Sequence, residues 1–284
     1  MITRFAPSPT GPLHLGHAYS AMLAFDTAKA AGGTFLLRIE DIDRSRARPE
    51  WEEQIYDDLR WLGLTWPEPA MRQSDRMTAY HKVIDQMWWD RLLYQCTCTR
   101  ADILAALSAP QEGVNYGPDG PVYPGTCRNR SEDRDHYPST APRDAVLRLD
   151  LQTYPAGLSP FEFHDDAKGE THFTLDDLQA HVGDIIIGRK DMGTSYHLSV
   201  VLDDAAQGVS HVIRGEDLFD ATQIHIALQK LLNLPTPTYH HHKLIRDDQG
   251  KRLAKRDDAR AIRKYRDEGA TPNDIRRMVG LPAV

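Results

Sequence analysis

A chain of 284 residues, 40% hydrophobic and 26% charged, can bury one large core or two modest ones and is too apolar to be disordered throughout. Its formal charge of −7 argues against a generally basic nucleic-acid binder, and its three cysteines against a disulfide framework. No run approaches about 18 uninterrupted apolar residues, and the N-terminus MITRFAPSPTG lacks the apolar centre of a signal peptide, so no membrane partner, no export and a cytoplasmic location are expected.

Residues 2–6 read as a short strand, 7–12 as a turn, and 14–31 as a helix with Leu15, Ala18, Met22, Phe25 and Ala28 on one face, closed by Gly32-Gly33. A second strand over 34–39 completes a βαβ unit, the seed of a parallel, helix-covered sheet. Helices are expected over 49–62, opening on Pro49 and burying Trp51, Ile55, Leu59 and Leu62, and after Thr78 as N-cap, burying Val83, Ile84, Met87 and Trp88. Residues 110–142 hold six prolines and four glycines in 33 positions, too many for regular structure, and read as an insertion stiffened by something else. Regular apolar pattern resumes in VLRLDL (146–151), GDIIIG (183–188), YHLSVVLDD (196–204) and HVIRG (211–215), with a helix over 221–232. Apolar strands beside helices imply a second half of the same sheet.

Charge is unevenly placed. Residues 243–284 hold 12 Lys+Arg against 7 Asp+Glu, and the other 242 residues 22 against 34, so a polyanion is expected to meet the C-terminal tail. A solvated basic helix is the plain alternative.

The segment APSPTGPLHLGHA sets His14 and His17 at i and i+3 on the first turn of a helix, with Gly16 between them where a ligand can approach the backbone. Free amides and the positive dipole end favour phosphate there, and two imidazoles add donors. The same spacing also suits metal ligands or simple capping residues. The run KRLAKR, taken by itself, fits a solvated basic loop. Cys96 and Cys98 lie one residue apart, and with Cys127 they place three thiols near the irregular stretch, which suits one Zn2+ or three buried free thiols.

Four motifs in order, RFAPSPTGPLHLGH, LLRIEDID (36–43), VIRGEDL (212–218) and GKRLAKR (250–256), resemble the signatures of class I aminoacyl-tRNA synthetases of the glutamyl branch over nearly the whole chain. That resemblance implies an α/β fold: a Rossmann-type parallel sheet with a zinc-containing insertion and a short helical C-terminal tail. Its organisation would be 1–95 as the first half of the catalytic domain, 96–182 as the insertion with zinc site and acceptor-binding region, 183–240 as the second half, and 241–284 as the basic loop and tail. It implies ATP and amino acid at the carboxyl ends of the strands, with a carboxylate attacking the α-phosphorus of ATP. His14, Gly16 and His17 would meet ATP, Lys255 and Arg252 would close over the leaving pyrophosphate, and Mg2+ would accompany ATP. Ala254 stands where many members carry Ser, removing one hydroxyl donor.

For L-glutamate, two carboxylates and an ammonium need two cationic sites and one acceptor. By resemblance, Arg4 with Ser8 on the stretch Phe5, Ala6, Pro7, and Arg214, would hold carboxylates, Glu40 would accept from the ammonium, and Tyr196 would complete the wall. Taken alone, Glu40 reads as a surface ion-pair partner of Arg38 or Arg44, and Tyr196 as a core aromatic. The pattern C96-T-C98 … Y123-P-G-T-C127 resembles a zinc site of one synthetase-like group, with Tyr123 as fourth ligand and His136 or water as the alternative. Only 28 residues follow Arg256, so no anticodon-binding domain is expected. With Leu218 and Val200 where glutamyl-tRNA synthetases commonly show Trp and Asn, the chain resembles the glutamyl-queuosine tRNA(Asp) synthetases. That group implies transfer of glutamate to queuosine in the anticodon of tRNA(Asp) by a monomer. A minimal glutamyl-tRNA synthetase and a non-catalytic glutamate or ATP sensor are the alternatives.

Overall fold

The structure, a computed structural model, describes residues 1–107, 115–128, 140–245 and 260–284. β1 (Ile2–Phe5), α1 (Leu15–Ala30) and β2 (Thr34–Ile39) form the expected βαβ unit, β1 running parallel to β2. A Schellman motif ends α1: Gly33 N–H donates to Ala28 O at 2.8 Å and Gly32 N–H to Lys29 O at 3.0 Å, with Gly32 at φ 60°. β2 pairs in parallel with the short β3 (Met71–Arg72) after α2 (Pro49–Trp61), whose Ile55 and Leu59 are buried.

The following helix, α3 (Met77–Trp89), starts one residue before the expected cap Thr78, on a 3-10 turn over Gln73–Arg76. The cause is tertiary. Gln73 and Arg76 both reach Asp203, at 2.9 and 2.6 Å, which holds that turn in a helical path and leads it straight into α3.

β4 (Leu93–Cys96), α4 (Arg100–Leu107), the hairpin β5 (Tyr116–Gly117) and β6 (Gly120–Pro121), and β7 (Val146–Leu149) follow. Next come β8 (Phe161–Asp165) with β9 (Gly169–Phe173), α5 (Leu175–His181), β10 (Ile185–Gly188) and α6 (Tyr196–Ala206). The chain then runs through β11 (His211–Gly215), α7 (Thr222–Leu231), β12 (Thr238–His242), α8 (Ile262–Asp267) and α9 (Pro272–Met278). β11, β12 and β8 are parallel neighbours, with β9 antiparallel at the edge. Ser210 N–H donates to Ile2 O at 3.0 Å, so the starts of β1 and β11 lie side by side and the two parallel groups form one platform.

Three apolar segments differ from expectation. VLRLDL and GDIIIG become β7 and β10 but pair antiparallel in the order β10-β7-β4, a separate sheet and not the second half of the parallel one. YHLSVVLDD is the helix α6, capped by Ser195 and buried at His197, Leu198, Ser199, Val200, Val201, Asp203 and Asp204. Burial on nearly every side erases the one-sided pattern that marks surface helices.

One apolar core gathers α1, β1, β2 and α2 together with Ile262, Ile275 and Val279 of the tail. α9 is also held by a buried Arg276 paired with Asp26 of α1. Arg260, Arg266 and Arg277 likewise have carboxylate partners, Glu268, Asp57 and Asp274, so among the described residues of the tail these four arginines are paired within the fold. Among the described residues no helix is long and apolar enough to cross a membrane.

Candidate active site and thiol cluster

His14 is the N-cap of α1. Its Nδ1 accepts from Gly16 N–H at 3.1 Å, and its own N–H donates to His17 Nδ1 at 3.2 Å, a capping box built from two histidines. The rings stack with centroids 3.8 Å apart and planes at 27°. Each Nδ1 receives a backbone proton, so each neutral ring carries its own proton on Nε2. Capping and anion binding are therefore compatible: Nδ1 serves the first, and Nε2–H would be the donor for the second, at a helix N-terminus whose dipole favours phosphate.

Arg252, Ala254 and Lys255 lie outside the described residues. The chain on both sides of them is pinned to the His14 region. Ala261 bridges antiparallel to His14, Ile262 N–H donates to Leu13 O at 2.8 Å, and on the N-terminal side His242 Nε2 sits 2.7 Å from Ser20 Oγ and packs on Tyr19.

Arg4 on β1, Glu40 just past β2, and Arg214 on β11 all stand toward the carboxyl ends of their strands, where open α/β sheets bind ligands. Tyr196 opens α6 facing them, and Arg214, Glu40 and Arg4 all act electrostatically on its phenol, which burial pushes up. The loop between β1 and α1 closes this group, since Glu40 N–H donates to Pro7 O at 3.0 Å; Phe5 and Pro7 are buried, Ala6 is half-buried and Ser8 exposed.

Glu40 does pair with Arg38, at 3.2 Å, but Arg38 is fully buried and the pair is internal. Burial pushes the Glu40 carboxyl up, against the pull of Arg38 and Arg4, so a ligand ammonium placed there would stabilise its ionised form. The residues that orient this site came from YHLSVVLDD. Asp204 holds Arg4 at 3.1 Å and Arg38 at 2.7 Å, while Asp203 collects Gln73, Arg76 and Tyr80. Two acids ending an apolar run were the available signal, because buried carboxylates require partners.

Cys96, Cys98 and Cys127 offer sulfurs within 4.8 Å of one another, and all three are free thiols. Tyr123 Oη lies 3.4 Å from Cys96 Sγ and 3.5 Å from Cys98 Sγ, and Cys98 Sγ is 3.4 Å from Cys127 Sγ. Tetrahedral zinc with Zn–S near 2.3 Å needs S···S of about 3.8 Å, so the donor set fits one such ion with Tyr123 beside it. The Cys127 thiol is brought down to about 6: burial raises it, and hydrogen bonding from Tyr123 and Thr97 more than compensates. Arg148 stacks on the Tyr123 ring at 3.9 Å, a cation that favours an electron-rich phenol. His136 lies outside the described residues.

The profile of tRNA synthetases class I (E and Q), catalytic domain, matches residues 1–283. A glutamyl-Q tRNA(Asp) synthetase from Rhodobacter capsulatus is 60% identical over 283 residues, covering 99% of this chain and 100% of the relative. One of the same name from Symbiobacterium thermophilum is 39% identical, covering 96% of this chain and 83% of the relative. A glutamate tRNA ligase from Elizabethkingia meningosepticum, solved with its amino acid, superposes with a TM-score of 0.74 at 26% identity, over 98% of this chain. The chain spans only 60% of that structure's length. A methionyl-tRNA synthetase from Mycobacterium tuberculosis shares the fold, with a TM-score of 0.60 at 10% identity, over 98% of this chain and 63% of that one.

Proposed function

Because the chain belongs to the class I tRNA synthetases of the E and Q type, we propose that it activates L-glutamate with ATP without tRNA and transfers it to queuosine in the anticodon of tRNA(Asp). The observation that carries the activation step is the paired Nε2–H donors of His14 and His17 at the start of α1. The substrate α-carboxylate, already ionised at neutral pH, attacks the α-phosphorus; a C–O–P linkage forms and the bond to pyrophosphate breaks. No side-chain nucleophile or base is needed, only positioning and neutralisation of phosphate charge. His14 and His17 donate to the α-phosphate, and Arg252 and Lys255 meet the departing pyrophosphate. Arg4 and Arg214 bind the glutamate carboxylates, Glu40 accepts from its ammonium, and Tyr196 lines the pocket. The acceptor on queuosine then attacks the activated carbonyl and AMP leaves.

Mg2+ travels with ATP and spreads its phosphate charge. Cys96, Cys98 and Cys127, with Tyr123 beside them, would hold Zn2+, which would supply a crosslink for the Pro/Gly-rich insertion. A buried Arg214 rejects glutamine, whose neutral amide would leave the guanidinium uncompensated.

The acceptor assignment rests on the 60% identity with the R. capsulatus protein over its full length. Pyrophosphate exchange with glutamate alone, followed by transfer to queuosine-containing tRNA(Asp) and not to queuosine-lacking tRNA(Asp), is the expected result. Charging of the 3′ end of tRNA(Glu) would replace this reading with a minimal glutamyl-tRNA synthetase. Equal exchange rates for Lys255→Ala and wild type would remove the basic loop from the chemistry.

A further inference from the structure

Two buried histidines without a part in the activation step flank Arg214, and a third, His197, lies behind one of them. Arg214 Nη1 lies 3.1 Å from His225 Nδ1, Nε lies 3.1 Å from His241 Nε2, and Nη2 lies 2.7 Å from Thr222 Oγ1. A guanidinium only donates, so His225 Nδ1 and His241 Nε2 must both accept. A neutral His225 that accepts on Nδ1 carries its proton on Nε2, and 3.0 Å away stands His197 Nδ1. His197 accepts there in turn, so its proton sits on Nε2, 2.9 and 3.0 Å from the two carboxylate oxygens of Asp119. On the other side, His241 keeps its proton on Nδ1 and donates it to Asp165 at 2.5 Å.

One cation thus dictates the tautomer of all three rings. Protonating His225 or reversing its tautomer would aim two donors at each other across a buried contact. Burial and Arg214 hold His225 well below the ordinary histidine range, in agreement with the geometry.

The outer end of this chain is not in the catalytic sheet. Asp119 occupies the turn of the hairpin β5–β6 in the insertion, where it also lines a cleft of about 490 Å3 shared with Cys98, Tyr123 and Arg148. Its carboxylate is more than half exposed, yet it closes a file of hydrogen bonds running inward to a guanidinium that is 6% exposed. We propose that Asp119, His197 and His225 are positioning residues that orient Arg214 from the insertion hairpin and so set its grip on the substrate carboxylate. The inference rests on the reading that Arg214 binds a glutamate carboxylate; the tautomers themselves do not.

The test has two independent arms. Nitrogen NMR of the histidine rings in the ligand-free full chain is expected to show His197 and His225 protonated at Nε2 and His241 at Nδ1. Asp119→Ala should shift the ring signals of His197 and His225 and the side-chain nitrogens of Arg214. In pyrophosphate exchange, Asp119→Ala should raise the KM for glutamate about five-fold, with kcat and the KM for ATP changed less than about two-fold. Asp119→Asn, whose amide oxygen still accepts from His197, should restore most of that loss; a general folding defect would move all the constants together. Nδ1-protonated or cationic rings at His197 or His225, or an unchanged glutamate KM in Asp119→Ala, would overturn the proposal. A wild type that shows the expected tautomers but no glutamate-dependent exchange would overturn the glutamate reading instead. The Arg214 nitrogen shift in Asp119→Ala would then still decide whether the hairpin orients the guanidinium.

Discussion

Asp204 on α6 grips Arg4 on β1 with both oxygens, Oδ1 to Nε at 3.1 Å and Oδ2 to Nη2 at 3.4 Å. The same Oδ1 accepts from Arg38 Nη1 at 2.7 Å. All three groups are at most 5% exposed, so the pair is a fixed strut and not a surface ion pair. It leaves Arg4 oriented by protein before any ligand arrives, the preorganisation that a carboxylate site needs.

Asp204→Asn should therefore lower stability and substrate binding together. Removing the charge takes the carboxylate partner from buried Arg4 and leaves Arg38 with Glu40, a loss of about 3 kcal/mol. Denaturant unfolding checks the first effect and the KM for glutamate the second; unchanged values for both would mean that Arg4 is held by something else.

His14→Asn separates capping from catalysis. Asparagine is among the best N-cap residues, so melting should move little, within about 0.5 kcal/mol. The Nε2–H donor is lost, and adenylate formation should fall by roughly 100-fold, the usual scale for one donor to a developing charge. Parallel thermal melts and exchange assays would show it. A matched fall in both would return His14 to a purely structural role.

The thiol cluster predicts about one Zn2+ per chain by elemental analysis. Cys127→Ser should lose the ion and loosen the insertion first, read as new proteolytic cleavage within 96–182 while the catalytic sheet stays folded. A chelator-free preparation that contains no metal and resists protease equally well would refute the site.

What the sequence reveals depends on how local the cause is. His14 and His17 share one helical turn, and Cys96 and Cys98 lie one residue apart, so their proximity follows from spacing, whereas Cys127 joins them only after α4 and the β5–β6 hairpin. The strut between Arg4 and Asp204 closes over 200 positions and has no local signature. YHLSVVLDD hid its helical character because it is buried on both faces, and β7 and β10 hid their antiparallel sheet because an apolar run does not name its partner. The histidines around Arg214 escaped for the same reason: His197, His225 and His241 come from α6, α7 and β12, and only the folded arrangement shows that one guanidinium orders them.

That arrangement also predicts acid sensitivity. Burial and the nearby Arg214 lower His241 to about 4, although Asp165 pulls the other way. In the unfolded chain a histidine titrates near 6.5, so between those values the unfolded state holds the extra proton. Stability is then complete above about pH 6.5 and declines as pH falls toward 4, by roughly 3 kcal/mol for this group. His225, shifted the same way, adds to the slope. His241→Asn keeps a polar side chain beside Arg214 but cannot titrate, and Asp165 retains the backbone N–H groups of Ala167, Lys168 and residue 241. Unfolding free energies at pH 7.5, 5.5 and 4.5 should therefore fall less steeply in the variant than in wild type. Parallel slopes would mean that the fold accepts a proton on His241, and with it a second donor facing Arg214.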